Sequence, residues 1–290
     1  MLSKRKIVFS LTTLPRRIKT ILPTLESLNN QTVKADHIYL TIPKKCSRLD
    51  QKYPKIPKKI KKYCDIVYVK EDYGPVTKLV GALLKETDPD TIIITVDDDV
   101  IYPKNLVKDL LYYHKKFPDS ALSSSGLSIG YYPFRYSIKF NQKKNDYWFT
   151  MNSKKSKKID ILYGYSGALY KRSFFPCKHM LYNKFLKYPL ENIDLFKNDD
   201  VFISFYLNKE HIDRRLVNTE DVINNSGHDA LSQDVVKFFL SLEKAVSKCE
   251  KMGWFKSKAY VNPFETFGTV VIFILLLLIL LIYFIYRICK

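Results

Sequence analysis

Short apolar runs alternate with amphipathic segments along the first 255 residues of the chain. The apolar runs are typical of strands buried in a sheet, and the amphipathic segments carry apolar residues at helical spacing. Strands are predicted at Lys6–Leu11, His37–Ile42, Ile66–Val69, Thr91–Val96, Ala121–Ser124 and Ile159–Tyr163. Helices are predicted at Arg16–Leu28, Thr77–Leu84, Pro103–Phe117, Asn198–Leu207 and Ser232–Met252, and a polar insertion at Lys139–Lys158. This alternation predicts an α/β fold with a mostly parallel sheet flanked by helices.

The last part of the chain has a different pattern, because residues 266–286 contain no charged side chain. A helix of this length spans about 31 Å, the thickness of the hydrocarbon core of a bilayer. We therefore predict a single domain at 1–255, a juxtamembrane linker at 256–265, a transmembrane helix at 266–286 and a short tail at 287–290. The apolar run at the N-terminus is too short for a signal peptide, so we expect a C-terminal membrane anchor with a cytoplasmic catalytic domain.

The charge of the chain narrows the choice of partner. Its 48 lysine and arginine residues outnumber its 29 aspartate and glutamate residues, which gives a formal net charge of +19. A chain this basic suits an anionic partner such as nucleic acid, a membrane surface or a phosphorylated small molecule. The lysines are spread from end to end, so no specific nucleic-acid site is expected. The five cysteines show no metal-ligand spacing, which argues against a disulfide framework and a zinc site.

Three consecutive aspartates, Asp97 to Asp99, follow the predicted strand at Thr91–Val96. Each neighbouring pair repels by roughly 3 kcal/mol at about 5 Å and an effective dielectric constant near 20, so a positive group should offset the repulsion. Lysines, a helix N-terminus or a metal ion are the candidates. In extended geometry Asp97 and Asp99 share one face and Asp98 lies on the other. Two convergent carboxylates suit a hard cation such as Mg²⁺ or Mn²⁺, although an acidic cluster can also be a solvated turn or a helix cap.

Two basic features lie near predicted turns. Arg16 and Arg17 follow the first strand and fit a surface pair at a helix start. The tight turn Asp72–Pro75 is followed one helical turn later by Lys78. This lysine is placed to neutralise a phosphate, although a lysine on a helix is often only part of the solvated surface.

Two further turns carry candidate site residues. The segment Gly164–Gly167 is flanked by glycines, which permit close approach of the backbone to a ligand, but it also fits an ordinary turn. The segment Asn198–Asp200 precedes an apolar helix, and Asn and Asp are favoured at the N-cap. Capping explains one of these polar side chains and leaves the others available for chemistry.

Six segments together resemble a known family. They are VFSLTTLPRR, EDYGPVTKLVGAL, TVDDDVIYP, YGYSGALYKRSFF, NDDVFISFYL and SGHDA, in this order between residue 6 and about residue 230. In this order they are similar to segments of glycosyltransferases with the GT-A fold, of the family 2-like kind. A DxD motif alone is weakly specific, whereas six segments in order are fairly specific. The resemblance implies a GT-A, Rossmann-like domain that binds a nucleotide sugar.

The resemblance also implies roles for individual residues. The implied nucleotide-sugar-binding residues are Thr12, Arg16, Arg17, Asp72, Lys78, Asp97, Asp98, Gly164, Ser166 and Gly167. The implied ligands of a Mn²⁺ or Mg²⁺ ion are Asp97, Asp99 and His228. The implied catalytic base is Asp200 or Asp199, because an inverting transfer needs a carboxylate that takes the proton of the acceptor hydroxyl.

The expected function is therefore a metal-dependent, inverting glycosyltransferase of the hexosyl- or deoxyhexosyltransferase class. The expected partners are a nucleotide-sugar donor and a hydroxyl acceptor on a glycan, a lipid-linked molecule or a protein-linked molecule, with the membrane as a third partner. Two alternatives stay open: a metal-dependent phosphohydrolase or nucleotidyltransferase, and a tail-anchored scaffold without activity. The lysine-, isoleucine- and asparagine-rich composition is typical of an AT-rich genome, such as that of a large DNA virus.

Overall fold

The computed structural model describes residues 5–127, 156–224 and 235–255. The chain divides into two compact units, and every described residue belongs to the first, Met1–Ile129 with Asn145–Phe255. The strands are β1 Ile7–Thr12, β2 His37–Pro43, β3 Asp65–Val69, β4 Ile92–Thr95, β5 Val100–Ile101, β6 Ser120–Ser123, β7 Gly126–Leu127, β8 Lys157–Lys158, β9 Ile161–Leu162, β10 Ala168–Lys171, β11 Asp213–Leu216 and β12 Ile223–Asn224. The α-helices are α1 Leu22–Asn29, α2 Thr77–Lys85, α3 Leu106–Lys116, α4 Lys187–Glu191, α5 Ile193–Lys197, α6 Asp199–Lys209 and α7 Val235–Lys251.

Shorter helical turns connect these elements. 3₁₀ turns lie at Pro15–Lys19, Ile60–Lys62, Gly74–Val76, Gly164–Ser166, Arg172–Phe174 and Lys178–Met180, and one π-helical turn lies at Tyr182–Leu186.

An eight-stranded sheet forms the centre of the unit, in the order β3-β2-β1-β4-β10-β6-β11-β8. Strands β3, β2, β1 and β4 are parallel neighbours, and β6 and β11 form a further parallel pair. Strand β10 runs antiparallel to both β4 and β6, and β8 closes the edge antiparallel to β11. The first four strands have the 3-2-1-4 order of a nucleotide-binding half sheet, in which ligands bind beyond the carboxyl ends of the strands. The predicted α/β class with a mostly parallel sheet is thus confirmed.

Both faces of the sheet are covered, which explains why the central strands read as nearly continuous apolar runs. Strand β1 alternates its side chains between two cores: Val8 belongs to one, and Phe9 and Leu11 belong to the other. Helices α2, α6 and α7 supply the first core, and helices α1 and α3 supply the second. The two cores fix the central strands from both sides, so the residues that follow those strands start from rigid positions.

Several predicted boundaries differ from the structure. The single helix predicted at Arg16–Leu28 is a 3₁₀ turn at Pro15–Lys19 followed by α1. Proline explains the break, because Pro23 has no N–H to donate and is tolerated only in the first turn of a helix. The strand predicted at Ile159–Tyr163 shortens to β9, and the prediction missed β10 and β11. These strands are only four residues long, and β11 contains three charged side chains.

Some predictions fall on residues outside the described ranges. These are the predicted metal ligand His228, most of the predicted insertion at 139–158 and the predicted transmembrane helix at 266–286. Within the described ranges, no helix is both long and apolar enough to cross a bilayer.

Candidate active site

A buried lysine joins the carboxylates at the carboxyl end of the sheet. The Lys78 ammonium forms ion pairs with Asp97 Oδ1, which follows β4, and with Asp199 Oδ2 at the start of α6, the latter at 3.0 Å. The Lys78 side chain is only 7% exposed. Burial alone would lower the pKa of Lys78, but the charges of Asp199, Asp97 and Asp200 raise it well above its ordinary value. The lysine is therefore charged at neutral pH and neutralises acids from two separate segments.

A constrained turn places Lys78 at this position. Helix α2 begins at Thr77, directly after the 3₁₀ turn Gly74–Val76. Asp72 holds the turn, because its Oδ1 accepts the Gly74 N–H at 2.9 Å and its Oδ2 accepts the Ser47 N–H at 2.7 Å. Gly74 has a φ of +64°, and a Cβ there would lie 2.3 Å from the Phe196 carbonyl oxygen. Asp72 therefore builds the turn that delivers Lys78.

A second cation, Arg17, neutralises the other two aspartates of the triplet. Arg17 Nη1 lies 2.7 Å from Asp98 Oδ1 and 3.0 Å from Asp99 Oδ2. Asp98 is buried and its Oδ2 also accepts the Thr13 hydroxyl at 2.5 Å. Burial raises the pKa of Asp98, against the opposing effects of Arg17 and Thr13. Burial together with the charges of Asp98 and Asp97 raises the pKa of Asp99 to about 6.

The triplet does not follow the strand alternation predicted for it. Strand β4 ends at Thr95, and a turn begins at Asp98, so the two-residue period no longer applies. Asp98 and Asp99 converge on Arg17, while Asp97 turns to Lys78. Two cations on different segments therefore offset the repulsion among the three carboxylates.

The two carboxylates at the start of α6 have different environments. Asp199 is buried, and its Oδ2 contacts Lys78 outside hydrogen-bond geometry, without a hydrogen-bond partner in the described part of the chain. Asp200 is partly exposed, and its Oδ1 accepts the Gly164 N–H at 2.9 Å. Burial, reinforced by the charges of Asp199 and Asp97, raises the pKa of Asp200 well above its usual range, although Lys78 and the Gly164 N–H oppose the shift. Neither carboxylate caps α6, since the N-cap residue is Asn198 and it makes no side-chain cap bond.

The glycine-flanked turn lies against this carboxylate pair. A Cβ on Gly164 would stand 3.2 Å from Asp200 Oδ1 and 3.5 Å from Lys78 Nζ, so glycine leaves room beside both groups. Ser166 is buried, with its Oγ 3.1 Å from Ser123 Oγ, and Gly167 has a φ of +89°. Ser166 and Gly167 thus shape the turn, and Gly164 faces the charged groups.

One functional contact was not predicted from the sequence. The buried Tyr102 hydroxyl accepts the Asp97 N–H and donates to the Tyr165 carbonyl, each at 2.8 Å. It thereby fastens the aspartate turn to the glycine-flanked turn. A tyrosine before a proline carries no sequence signal for such a bridge, because the signal depends on which loops meet in space.

The remaining predicted binding residues lie at the edge of this cluster. Thr12 ends β1 and donates its hydroxyl to the Thr41 carbonyl at 2.8 Å, and Arg16 is exposed on the turn after β1. The structure therefore brings Lys78, Asp97, Asp199, Asp200 and Gly164 into one cluster, with Arg17, Asp98 and Asp99 beside it through the aspartate turn.

The donor atoms at the aspartate turn suit a hard cation. Among the described residues, no three His, Cys, Asp or Glu side chains form a complete metal site. Asp97 and Asp99 nevertheless provide carboxylate oxygens, and Mg²⁺ is commonly held by one or two carboxylates together with waters and substrate phosphates. A cation bound through Asp97 and Asp99 would therefore take its remaining ligands from a phosphorylated substrate and water, or from residues outside the described ranges.

Comparison with known proteins finds distant structural similarities. No protein-family model and no curated protein sequence matches the chain. The mannosyltransferase PcManGT from Pyrobaculum calidifontis, solved in complex with GDP-Man and Mn²⁺, is similar at a TM-score of 0.49 and 12% identity, over 90% of this chain and 68% of that one. TarS of S. aureus is similar at a TM-score of 0.43 and 14% identity, over 70% of this chain and 33% of that one. At these levels the similarities assign neither an activity nor a substrate.

Proposed function

We propose that the chain is a metal-dependent glycosyltransferase that moves a hexosyl or deoxyhexosyl group from a nucleotide sugar to a hydroxyl acceptor, with inversion. The observation that carries the proposal is the convergence of three other segments on Lys78 at the carboxyl end of the sheet. These segments contain Asp97, Gly164, and Asp199 with Asp200. With the segment of Lys78 they are four of the six segments that resemble the GT-A family in sequence, and an open α/β sheet binds nucleotides at this edge.

The aspartate turn and the two cations form the donor side of the proposed site. A bound Mg²⁺ or Mn²⁺ at Asp97 and Asp99 would stabilise the charge that develops on a leaving diphosphate. Arg17 is placed to exchange its contacts with Asp98 and Asp99 for an anionic donor, because its guanidinium is a fork of donors that matches phosphate oxygens. Lys78 holds the aspartate turn beside the carboxylates of α6. It therefore fixes the position of the proposed donor-binding residues relative to the proposed base.

Asp200 is the proposed catalytic base. It is partly exposed and is oriented by the Gly164 N–H, whereas Asp199 is buried against Lys78. In the proposed step, Asp200 takes the proton of the acceptor hydroxyl, the hydroxyl oxygen bonds to the anomeric carbon, and the bond to the diphosphate oxygen breaks with its electron pair. Attack from the side opposite the leaving group inverts the anomeric centre.

We also propose that residues 266–286 anchor the chain in a membrane, with the catalytic unit on the cytoplasmic side. This proposal is supported by 21 consecutive uncharged residues, enough to span the hydrocarbon core of a bilayer as a helix. The acceptor class that suits an anchored enzyme is a lipid-linked molecule or a glycan carried by a membrane protein.

A donor-binding experiment on the full chain in detergent tests the proposed function. UDP-, GDP- and dTDP-sugars are added with Mn²⁺, and unfolding is followed by thermal shift. A matching donor at a hundredfold excess over its Kd should raise the free energy of unfolding by about 2.7 kcal/mol. Asp99→Asn should lose this effect, and Asp119→Asn, which alters an exposed aspartate paired with Lys171, should keep it.

Product analysis separates the alternatives. A glycosyltransferase releases nucleoside diphosphate in an acceptor-dependent way, whereas a phosphohydrolase releases phosphate or nucleoside monophosphate without an acceptor. If no nucleotide sugar stabilises the chain with metal, the transferase proposal fails and the scaffold hypothesis takes its place.

A further inference from the structure

The helical segment 177–197 has an unusual surface. Six large apolar side chains in the described part of the chain are exposed, and three of them lie within this segment: Tyr182 at 53%, Leu190 at 38% and Ile193 at 60%. Apolar exposure concentrated in one short segment marks an interaction surface more often than isolated exposed residues do.

The same segment is rich in lysines. The segment contains Lys178, Lys184, Lys187 and Lys197, against two acidic residues, Glu191 and Asp194. Three of the lysines are exposed, and Lys187 is partly exposed, with its Nζ 5.3 Å from the centre of the Tyr188 ring. Exposed apolar side chains among flexible cationic ones are the pattern of a surface that lies at the boundary of an anionic membrane.

The exposed side chains are held by a rigid base. Phe185, in the same segment, is fully buried and its ring centre lies 4.8 Å from that of Phe202 in α6. Asn192 caps α5, because its side-chain oxygen accepts the backbone N–H groups of Asp194 at 3.0 Å and Leu195 at 3.1 Å. The cap fixes the start of α5 with Ile193 outward and Leu195 buried. The exposure of Ile193 is therefore built into the fold.

The same segment lies beside the point where the described chain ends. Trp254, which follows α7, contacts Tyr188 with ring centres 4.7 Å apart. From residue 255 the sequence needs only eleven more residues to reach the uncharged stretch at 266–286. An extended chain of that length reaches at most about 40 Å, which limits how far residue 255 can lie from any membrane that this stretch enters.

The segment also contacts a turn of the candidate active site. Phe196 of α5 lies against Gly74, in the turn that delivers Lys78. A membrane bound at this surface would therefore lie next to the site.

We propose that the segment 177–197 docks on an anionic lipid bilayer, with Tyr182, Leu190 and Ile193 inserted at the interface and the lysines against lipid headgroups. Two observations favour a bilayer over a protein partner. The lysines of the segment complement anionic lipid headgroups, and the segment lies close to residue 255, from which the chain continues to the predicted membrane span. The proposal rests on the proposed membrane anchor and does not depend on which reaction the site catalyses.

Site-specific fluorescence in reconstituted vesicles tests this proposal. The full chain carries Cys177→Ser and Cys289→Ser, which removes the exposed cysteine of the segment and the cysteine of the tail. An environment-sensitive probe is attached at Ile193→Cys, at Tyr112→Cys as an equally exposed control on α3, or at Val271→Cys in the predicted span. Vesicles contain neutral lipid alone or neutral lipid with phosphatidylserine, with and without a quencher on the acyl chains.

The expected result is a blue shift and quenching of the Ile193 probe in vesicles with phosphatidylserine, with the Tyr112 probe unchanged. Quenching at position 271 without quenching at 193 overturns the docking surface and leaves the anchor intact. No quenching at either position overturns both. A shift of the Ile193 probe that appears in detergent and depends on protein concentration assigns the surface to a second copy of the chain and also overturns the proposal.

A charge variant sharpens the test. Lys184→Gln with Lys187→Gln should reduce the ratio of docked to undocked chains in phosphatidylserine vesicles at least about tenfold, because each lysine near an anionic surface strengthens binding about fivefold. The matched pair Lys115→Gln with Lys116→Gln, at the end of α3, should leave the ratio unchanged. Equal effects of the two pairs of substitutions would show that the net charge of the chain, and not this segment, determines the fluorescence of the probe.

Discussion

The two cations of the candidate site, Lys78 and Arg17, both neutralise aspartates, but they are held in different ways. Lys78 lies in α2, is 7% exposed and contacts carboxylates from two segments. Arg17 lies on a short 3₁₀ turn, is 15% exposed and contacts neighbouring carboxylates of one segment. Breaking a buried ion pair leaves a charge without compensation, whereas water partly compensates an exposed one. Lys78 is therefore part of the frame of the site, whereas we propose that Arg17, the less buried of the two cations, changes partner when an anion binds.

The largest effect is expected from replacing the buried cation. Lys78→Met leaves the carboxylates of Asp97, Asp199 and Asp200 without their shared positive charge, which should lower the free energy of unfolding by about 3–5 kcal/mol at pH 7. Urea denaturation measures this loss. Arg17→Met is the matched control and should cost clearly less. Equal losses for the two variants would contradict the distinction between the cations.

The second largest effect is expected at the two carboxylates at the start of α6, which should respond differently to substitution. Asp200→Asn keeps an oxygen for the Gly164 N–H but has no carboxylate to accept a proton, so turnover should fall about 10²- to 10⁴-fold while the donor KM changes little. Asp199→Asn removes a partner of Lys78 and should mainly lower stability. Steady-state kinetics and urea denaturation of both variants decide the roles. Loss of turnover confined to Asp199→Asn would reverse the assignment.

His114 is a buried basic side chain, and it extends the comparison because it forms no ion pair with a carboxylate among the described residues. His114 is 2% exposed and lies 3.3 Å from Arg5. Burial, together with Arg5 and Lys171, lowers the pKa of His114 to about 4. Its ordinary pKa is about 6.5, so the unfolded chain binds the proton first as the pH falls.

Stability from this group is therefore complete above pH 6.5 and is lost as the pH falls from 6.5 to 4, by about 3 kcal/mol in total. Urea denaturation between pH 7 and pH 4.5 measures the slope for the wild type and for His114→Gln. The variant should lose less stability over this range than the wild type. Parallel slopes would show that His114 does not titrate in this way.

The smallest effect is expected from Arg17, the less buried of the two cations. Arg17→Gln should raise the donor KM about tenfold with little change in kcat, since a hydrogen bond to a charged group contributes about 1.5 kcal/mol or more. Arg16→Gln, on the adjacent exposed residue, is the control and should change the donor KM less. A fall in kcat without a change in KM would place Arg17 in the chemical step instead of donor binding.

The sequence predicts the parallel half of the sheet well because β1, β2 and β4 are buried on both faces. Strands β1 to β4 appear within one or two residues of their predicted bounds, since their apolar runs leave few alternatives. Strands β10 and β11 were missed because they are short, and three of the four residues of β11 are charged, including the buried Arg214. Their pairing depends on tertiary contacts that no local pattern records.

For the candidate site, the sequence predicts which segments take part but not which of their residues pair with one another. Lys78, the aspartate triplet and the carboxylates of α6 each follow a recognisable turn or strand end. That Lys78 pairs with Asp97 and Asp199, while Arg17 takes Asp98 and Asp99, depends on how turns from distant parts of the chain meet. Tyr102 shows the same limit, because its bridge exists only once two loops are adjacent.

The contact between Gly74 and Phe196 couples two stretches of the chain that are distant in sequence. No other residue type fits at position 74 without moving the Phe196 carbonyl, because a Cβ would approach it to 2.3 Å and the backbone has a φ of +64°. If the segment 72–78 were replaced by that of a relative, the new turn would not be matched to Phe196 of α5. The replacement would therefore misplace Lys78. Attempts to alter donor choice by exchanging loops should move both stretches together, and position 74 should stay glycine.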